Sequence, residues 1–215
     1  MDCSVYLVTQ ASRSAGRPTP AVVTAAIAGG VDIVQLREKD VSARERLAIG
    51  REVQKHTREA GVPLIVNDRV DIARALAADG VHLGDDDLPI EVARDLLGED
   101  AIIGRSVSVV ADAVEAERAG ADYLGVGAVY ATGSKADIDD DEYAIGPDRL
   151  GAIAEAVSVP VVGIGGITAD NAGPVVKAGA DGVAVITAIT GADDPATATR
   201  RLAETVERAR ESRTE

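Results

Sequence analysis

Eight short apolar runs recur along the chain, at residues 5–9, 31–36, 63–67, 80–83, 101–105, 123–129, 159–164 and 182–187. Most are near-continuous and β-branched, the pattern of strands covered on both faces. Ala-, Arg- and Glu-rich segments with helical spacing lie between them, as at 43–60 and 109–119. A short pattern marks the helix-to-strand joints: Ala28-Gly29-Gly30-Val31-Asp32, Ala78-Asp79-Gly80-Val81, Ala119-Gly120-Ala121-Asp122 and Ala178-Gly179-Ala180-Asp181. Glycine there supplies the left-handed residue that ends a helix before a tight turn. Eight β/α units of about 27 residues each predict a small (β/α)8 TIM barrel. A doubly wound open sheet would need fewer strands and a G-x-G-x-x-G turn after the first, which is absent. The expectation is therefore an α/β chain forming one domain over 1–215. The long irregular segment 131–146, after the sixth strand, is the natural lid-like loop.

Composition narrows the function. The formal charge of −14 argues against nucleic acid or an anionic membrane surface as the main partner. No run of 18 apolar residues exists, and the chain opens on Asp2 and a strand, so neither a membrane span nor a signal peptide is expected. The single cysteine, Cys3, fits a reducing cytoplasm. Lysine is scarce (Lys39, Lys55, Lys135 and Lys177), acidic residues number 36, and Phe and Trp are absent. That balance suits high salt, where screening weakens self-repulsion, although an ordinary acidic cytoplasmic enzyme is the other reading.

In such barrels the active site lies on the loops after each strand. The second strand delivers Gln35, Arg37 and Lys39, the third Asn67 and Asp68, and the fourth His82 followed by Asp85-Asp86-Asp87. The fifth ends in Arg105-Ser106, the sixth leads into Thr132-Gly133-Ser134-Lys135, the seventh ends in Gly165-Gly166, and the eighth in Ile186-Thr187. Parallel neighbours are about 4.8 Å apart, so Asp68 and Asp87 can share one cation. Two carboxylates with water and substrate oxygens are a usual Mg2+ arrangement. Gly165-Gly166, with Thr168-Ala169-Asp170-Asn171 opening a helix, suits a phosphate. Arg37, Lys39 and Lys135 supply charge for a second, more anionic group such as a diphosphate. No nucleophile with an adjacent base is evident.

The order and spelling of these segments carry a resemblance. Val34-Gln35-Leu36-Arg37-Glu38-Lys39, Asn67-Asp68-Arg69-Val70-Asp71, His82-Leu83-Gly84, Gly127-Ala128-Val129-Tyr130, Thr132-x-Ser134-Lys135 and Ile164-Gly165-Gly166-Ile167 resemble the thiamine-phosphate synthase (thiamine-phosphate pyrophosphorylase) family over nearly the whole chain. The resemblance implies a transferase of thiamine biosynthesis. It would join hydroxymethylpyrimidine diphosphate to thiazole phosphate, with the C–O bond breaking before the thiazole nitrogen attacks. It implies catalytic roles for Arg37, Lys39, Ser106 and Lys135, and Mg2+ on Asp68 and Asp87. Gln35, Arg37, Lys39 and Asn67 would hold the pyrimidine diphosphate, with Ser106 and Lys135 on its phosphates. Thr132, Ser134, Gly166, Ile186 and Thr187 would meet the thiazole phosphate.

Some residues depart from the family pattern. Asp85 stands where glutamine is usual, Ala128 and Ala131 replace two prolines, and Ser134 replaces threonine. Asp137, Asp139, Asp140, Asp141 and Glu142 read as a solvated acidic loop rather than a second metal site. Simpler readings stand beside the functional ones. Arg37–Asp40 could be an ion-pair lattice, Asp85–Asp87 an exposed loop, Asn67-Asp68 a helix cap, His82 a packed and hydrogen-bonded histidine, and Tyr130 and Tyr143 mere covers for the barrel mouth. A thiazole tautomerase-like relative or a non-catalytic sensor of thiamine intermediates are the rival functions. The motifs do not encode oligomeric state, a homo-oligomer included.

Overall fold

The computed structural model describes residues 2–132 and 144–214. Eight parallel strands close in sequence order into a barrel: β1 (Val5–Val8), β2 (Ile33–Leu36), β3 (Leu64–Asn67), β4 (Gly80–Leu83), β5 (Ile102–Val107), β6 (Tyr123–Gly127), β7 (Val161–Ile164) and β8 (Gly182–Val185). Closure comes from β1 against β8, with Val5 opposite Val183 and Leu7 opposite Val185. The intervening helices are α1 (Thr19–Ala28), α2 (Ala43–Ala60), α3 (Val70–Leu76), α4 (Ile90–Leu97), α5 (Val110–Arg118), α6 (Gly146–Ala156) and α7 (Ala172–Lys177). After β8 come the short α8 (Thr187–Thr190) and the long closing α9 (Pro195–Thr214).

The core has two shells, because successive strand residues point to opposite faces. Outward residues such as Leu7, Val34, Leu36, Val66, Leu83 and Leu124 pack against the helices. A smaller inner cluster (Cys3, Tyr6, Val8, Ile33, Ile65, Tyr123, Val162 and Ala184) fills the barrel. Here size is matched across strands. A Cβ at Gly104 would enter the Tyr123 ring, so this glycine makes room for the phenol.

The joints between helices and strands explain the repeated tetrapeptides. Gly30, Gly120 and Gly179 take the left-handed conformation, at φ of 87°, 94° and 126°. The fourth repeat departs from expectation: Gly80 belongs to β4, and Ala77 supplies the left-handed residue at φ 46°. The recurring aspartate has a constant task. Carboxylates of Asp32, Asp79, Asp122 and Asp181 accept an N–H from the first or second strand residue, those of Val5, Leu64, Ile103 and Val161, at 2.8, 2.8, 2.7 and 2.9 Å. Each tie satisfies a donor at the amino end of the barrel that would otherwise lack a partner.

Other boundaries shift for local reasons. The segment 43–60 is helical as expected, started by a reciprocal Ser42–Glu45 cap and ended by Gly61 at φ 68°. β2 begins only at Ile33, since Val31 still donates to Ala26 O at the end of α1. β8 ends at Val185 because Ile186, at φ −104° and ψ −85°, turns the chain into α8. No helix among the described residues is long and apolar enough to cross a membrane.

Candidate active site

A cavity of about 630 Å3 opens at the carboxyl ends of the strands. Gln35 and Arg37 enter it from β2 and the turn beyond, Asn67 from β3, and Ser106 from β5. Thr132, Gly166, Ile186 and Thr187 line its other side. The cavity therefore brings together eight of the residues expected at the site. Lys39, Asp68 and Asp87 gather at its rim rather than in its wall. Ser134 and Lys135, the acidic run 137–142, Tyr143 and most of the loop 131–146 lie outside the described residues.

The four charges at 37–40 separate into different tasks. Glu38 turns inward and is buried, accepting Thr19 Oγ1 at 2.7 Å and Ala11 N at 2.9 Å. Arg46 donates to its carbonyl at 3.0 Å through Nε. Glu38 is thus a tie between β2 and the loop after β1, with no part in the cavity. Arg37 faces the cavity, held by Gln10 Oε1 at 3.1 Å. Burial pushes its guanidinium below the ordinary value, against the opposing pull of Asp68, Asp40 and Glu38. It remains a cation, with its hydration reduced, and is suited to an anionic ligand.

The two candidate metal carboxylates lie together. Asp68 and Asp87 are within hydrogen-bonding reach of each other. Burial, then the charge and hydrogen bond of Asp87, raise the Asp68 carboxyl above its usual value, while Lys39 and Arg37 pull it down. Lys39 Nζ stands 3.9 Å from Asp68 Oδ2. Asp87 is fixed by accepting Gly84 N at 2.6 Å. Asp68 itself sits in the left-handed region, at φ 61°, with its N–H on His82 O at 2.9 Å. It does not cap α3, whose first turn follows Arg69 with no side-chain cap. No group of three or more His, Cys, Asp or Glu side chains converges among the described residues. A hard divalent ion fits this pair, since Mg2+ commonly takes one or two carboxylates and fills its remaining positions with water and phosphate.

Across the cavity, Gly165 and Gly166 adopt φ of 102° and 63°. A Cβ on Gly165 would lie 2.6 Å from Ala128 Cα, and one on Gly166 2.6 Å from Ala131 O. Both positions therefore need glycine for backbone shape and for close approach. The helix expected to open at Thr168 starts later, at Ala172. Residues 169–171 form a turn instead, in which Asn171 accepts Thr168 N at 2.7 Å and donates to Gly166 O at 3.0 Å.

Several cavity residues escape a reading by motif. Tyr6 and Tyr123 sit within apolar strands, and their inward register was the only signal available. Arg149 reaches the cavity from α6, far in sequence from any motif. His82 is hydrogen-bonded through both ring nitrogens, Nδ1 to Tyr123 Oη and Nε2 to Ser106 Oγ, each at 2.9 Å. Asp85, which departs from the family pattern, pairs with Arg105 Nη2 at 2.8 Å, and Arg105 also donates to Gly84 O.

The comparisons agree with this architecture. The family model described as thiamine monophosphate synthase matches residues 5–189. A thiamine-phosphate synthase from Haloarcula marismortui is 67% identical over 98% of this chain and 100% of its own. One from Moorella thermoacetica is 52% identical over 96% and 97%. The solved thiamine phosphate pyrophosphorylase from Pyrococcus furiosus superposes with a TM-score of 0.87 at 42% identity, covering 97% of both chains. With barrel, cavity and sequence in agreement along almost its full length, the chain belongs to the thiamine monophosphate synthase family.

Proposed function

We propose that this chain joins hydroxymethylpyrimidine diphosphate to thiazole phosphate, releasing thiamine phosphate and diphosphate, in the cytoplasm. The observation that supports the proposal is that one cavity carries two separate groupings suited to anions. Arg37, next to the Asp68–Asp87 pair, marks one side, and the glycine-built turn at Gly165–Gly166 the other. A volume of about 630 Å3 is in the range of small-molecule sites.

On this reading Gln35 and Asn67 orient the pyrimidine, and Arg37, Lys39 and Ser106 hold its diphosphate. Lys135 would add a further cation. Asp68 and Asp87 would hold Mg2+, which when bound neutralises charge on the diphosphate oxygens. Arg37 is catalytic because its attraction strengthens as the C–O bond lengthens and negative charge collects on the departing group. The electrons of that bond leave with the diphosphate, and the electron-rich pyrimidine supports the methylene cation. Thr132, Ser134, Gly166, Ile186 and Thr187 would fix the thiazole phosphate so that its ring nitrogen faces that carbon. The nitrogen attacks through its lone pair, so no general base is required.

The test is coupled turnover in molar KCl with both substrates, with and without Mg2+, following thiamine phosphate and diphosphate together. Equal, Mg2+-dependent formation of both is expected. Folded protein that binds the substrates without turnover would overturn the assignment in favour of a sensor.

A further inference from the structure

Across the floor of the cavity, five polar side chains form one continuous chain. Gln35 Nε2 donates to Tyr6 Oη at 2.9 Å, and Tyr6 Oη meets Tyr123 Oη at 2.7 Å. Tyr123 Oη meets His82 Nδ1 at 2.9 Å, and His82 Nε2 meets Ser106 Oγ at 2.9 Å. Both phenols are fully buried, and burial raises each above the ordinary tyrosine range, so each keeps its proton. The site is built around them. Gly104 clears space for the Tyr123 ring, and a Cβ at Gly125 would lie 2.9 Å from His82 Cε1.

The direction of this chain follows from counting protons. Tyr6 Oη accepts from the Gln35 amide, so its own proton goes to Tyr123. In the arrangement that leaves no hydroxyl proton idle, Tyr123 then donates to His82 Nδ1, which is the unprotonated nitrogen. Nε2 carries the imidazole proton and donates to Ser106 Oγ, leaving the serine proton to point onward into the cavity. At the other end, Gln35 presents Oε1 as an acceptor. A diphosphate can only accept hydrogen bonds, which suits a serine obliged to donate. An amino group on a pyrimidine donates, which suits an amide oxygen.

We propose that Tyr6, Tyr123 and His82 are positioning residues that form a directional hydrogen-bond relay, fixing Gln35 as acceptor and Ser106 as donor so that one substrate is read at both its ends. The relay rests on the substrate reading given above for Gln35 and Ser106. It adds a reason for two buried tyrosines and a histidine where apolar side chains would fill the barrel. Reversed, the same five groups would present an amide donor and a serine lone pair, and a diphosphate would meet the wrong partner.

The decisive measurement is the tautomer of His82. The chain has two histidines, so 15N-histidine labelling with His56→Gln as an assignment control resolves its ring nitrogens. The expected signature is a protonated Nε2 and a bare Nδ1 in neutral imidazole. Tyr123→Phe, which deletes only the shared hydroxyl, should collapse this preference to a mixture. It should also lower kcat/KM for the pyrimidine diphosphate about tenfold, with KM for the thiazole phosphate unchanged. Tyr6→Phe, which cuts the relay one step earlier, should lower the same ratio and weaken the His82 preference less than Tyr123→Phe does. A protonated Nδ1 in the wild-type protein, or a Tyr123→Phe tautomer identical to wild type, overturns the relay. Should the phenylalanine variants fail to fold, the wild-type spectrum still decides. If the wild-type protein turns nothing over, the substrate reading fails while the spectrum stands independently.

Discussion

Replacing Asp68 by asparagine should stabilise the metal-free protein while abolishing its response to Mg2+. The carboxyl is raised by burial and by Asp87, more than Lys39 and Arg37 lower it. A group whose folded pKa exceeds its unfolded one contributes stability below the ordinary aspartate range, and this is lost as pH rises through the folded value. Near neutral pH, then, the ionised pair weakens the metal-free fold. The attraction from Lys39, at 3.9 Å with side chains 55% and 34% exposed, is worth about 1 kcal/mol or less. Repulsion from Asp87 acts at comparable range, and desolvation adds to it. Asparagine removes the charge and tolerates φ of 61° better than most residues. The expected gain is about 0.5–1 kcal/mol, or roughly 1–4 °C in Tm for a chain of this size. Thermal unfolding at pH 7.5 in EDTA measures it. Wild-type protein should then gain about 1.4 kcal/mol at a tenfold excess of Mg2+ over Kd. That gain should shrink as pH falls through the raised Asp68 value and the carboxyl takes up its proton, and the Asp68→Asn variant should show none of it. A less stable metal-free variant, or one with an undiminished Mg2+ response, would refute the reasoning.

Three further outcomes follow from the same geometry. Gly166→Ala places a methyl against Ala131 O at a φ of 63°, and should raise KM for thiazole phosphate about tenfold while sparing the pyrimidine substrate; equal losses for both would argue against a separate phosphate site. Asp79→Ala leaves Leu64 N–H without its acceptor at the far end of the barrel, costing about 1–3 kcal/mol of stability, with kcat at 25 °C unchanged; calorimetry beside initial rates separates the two effects. Raising KCl from 0.1 to 1 M shortens the screening length from about 10 to 3 Å and should increase Tm in a chain of charge −14, and a falling Tm would remove the high-salt reading.

The barrel was legible because its signals are redundant: eight apolar runs, helical spacing between them, and a tetrapeptide that recurs at the joints. What the sequence hid depends on contacts between distant residues. Glu38 stands among three charged neighbours, and only the packing of Thr19 and Ala11 turns it inward. Gly80 matches the joint pattern but lies against Ile102 in the sheet, and Ala77 takes the turn instead. Tyr123 looks like any strand aromatic until Gly104 and His82 are placed beside it. Likewise Asp85, an isolated departure in the sequence, meets Arg105 twenty residues on and becomes half of an ion pair.

The four aspartate ties at the amino end bear on how this chain could be cut and rejoined. Each joins an odd-numbered strand to the next even one, which divides the barrel into four two-strand modules. The two ends of the chain are already neighbours, with Arg210 Nη1 3.7 Å from Asp2 Oδ1. A circular permutant opened at 61–62 would therefore keep every tie inside an unbroken module, whereas one opened at 78–79 would leave the aspartate that anchors β3 on a loose chain end. Chemistry at the mouth can drift, as at Asp85, while the opposite rim keeps the modules in register.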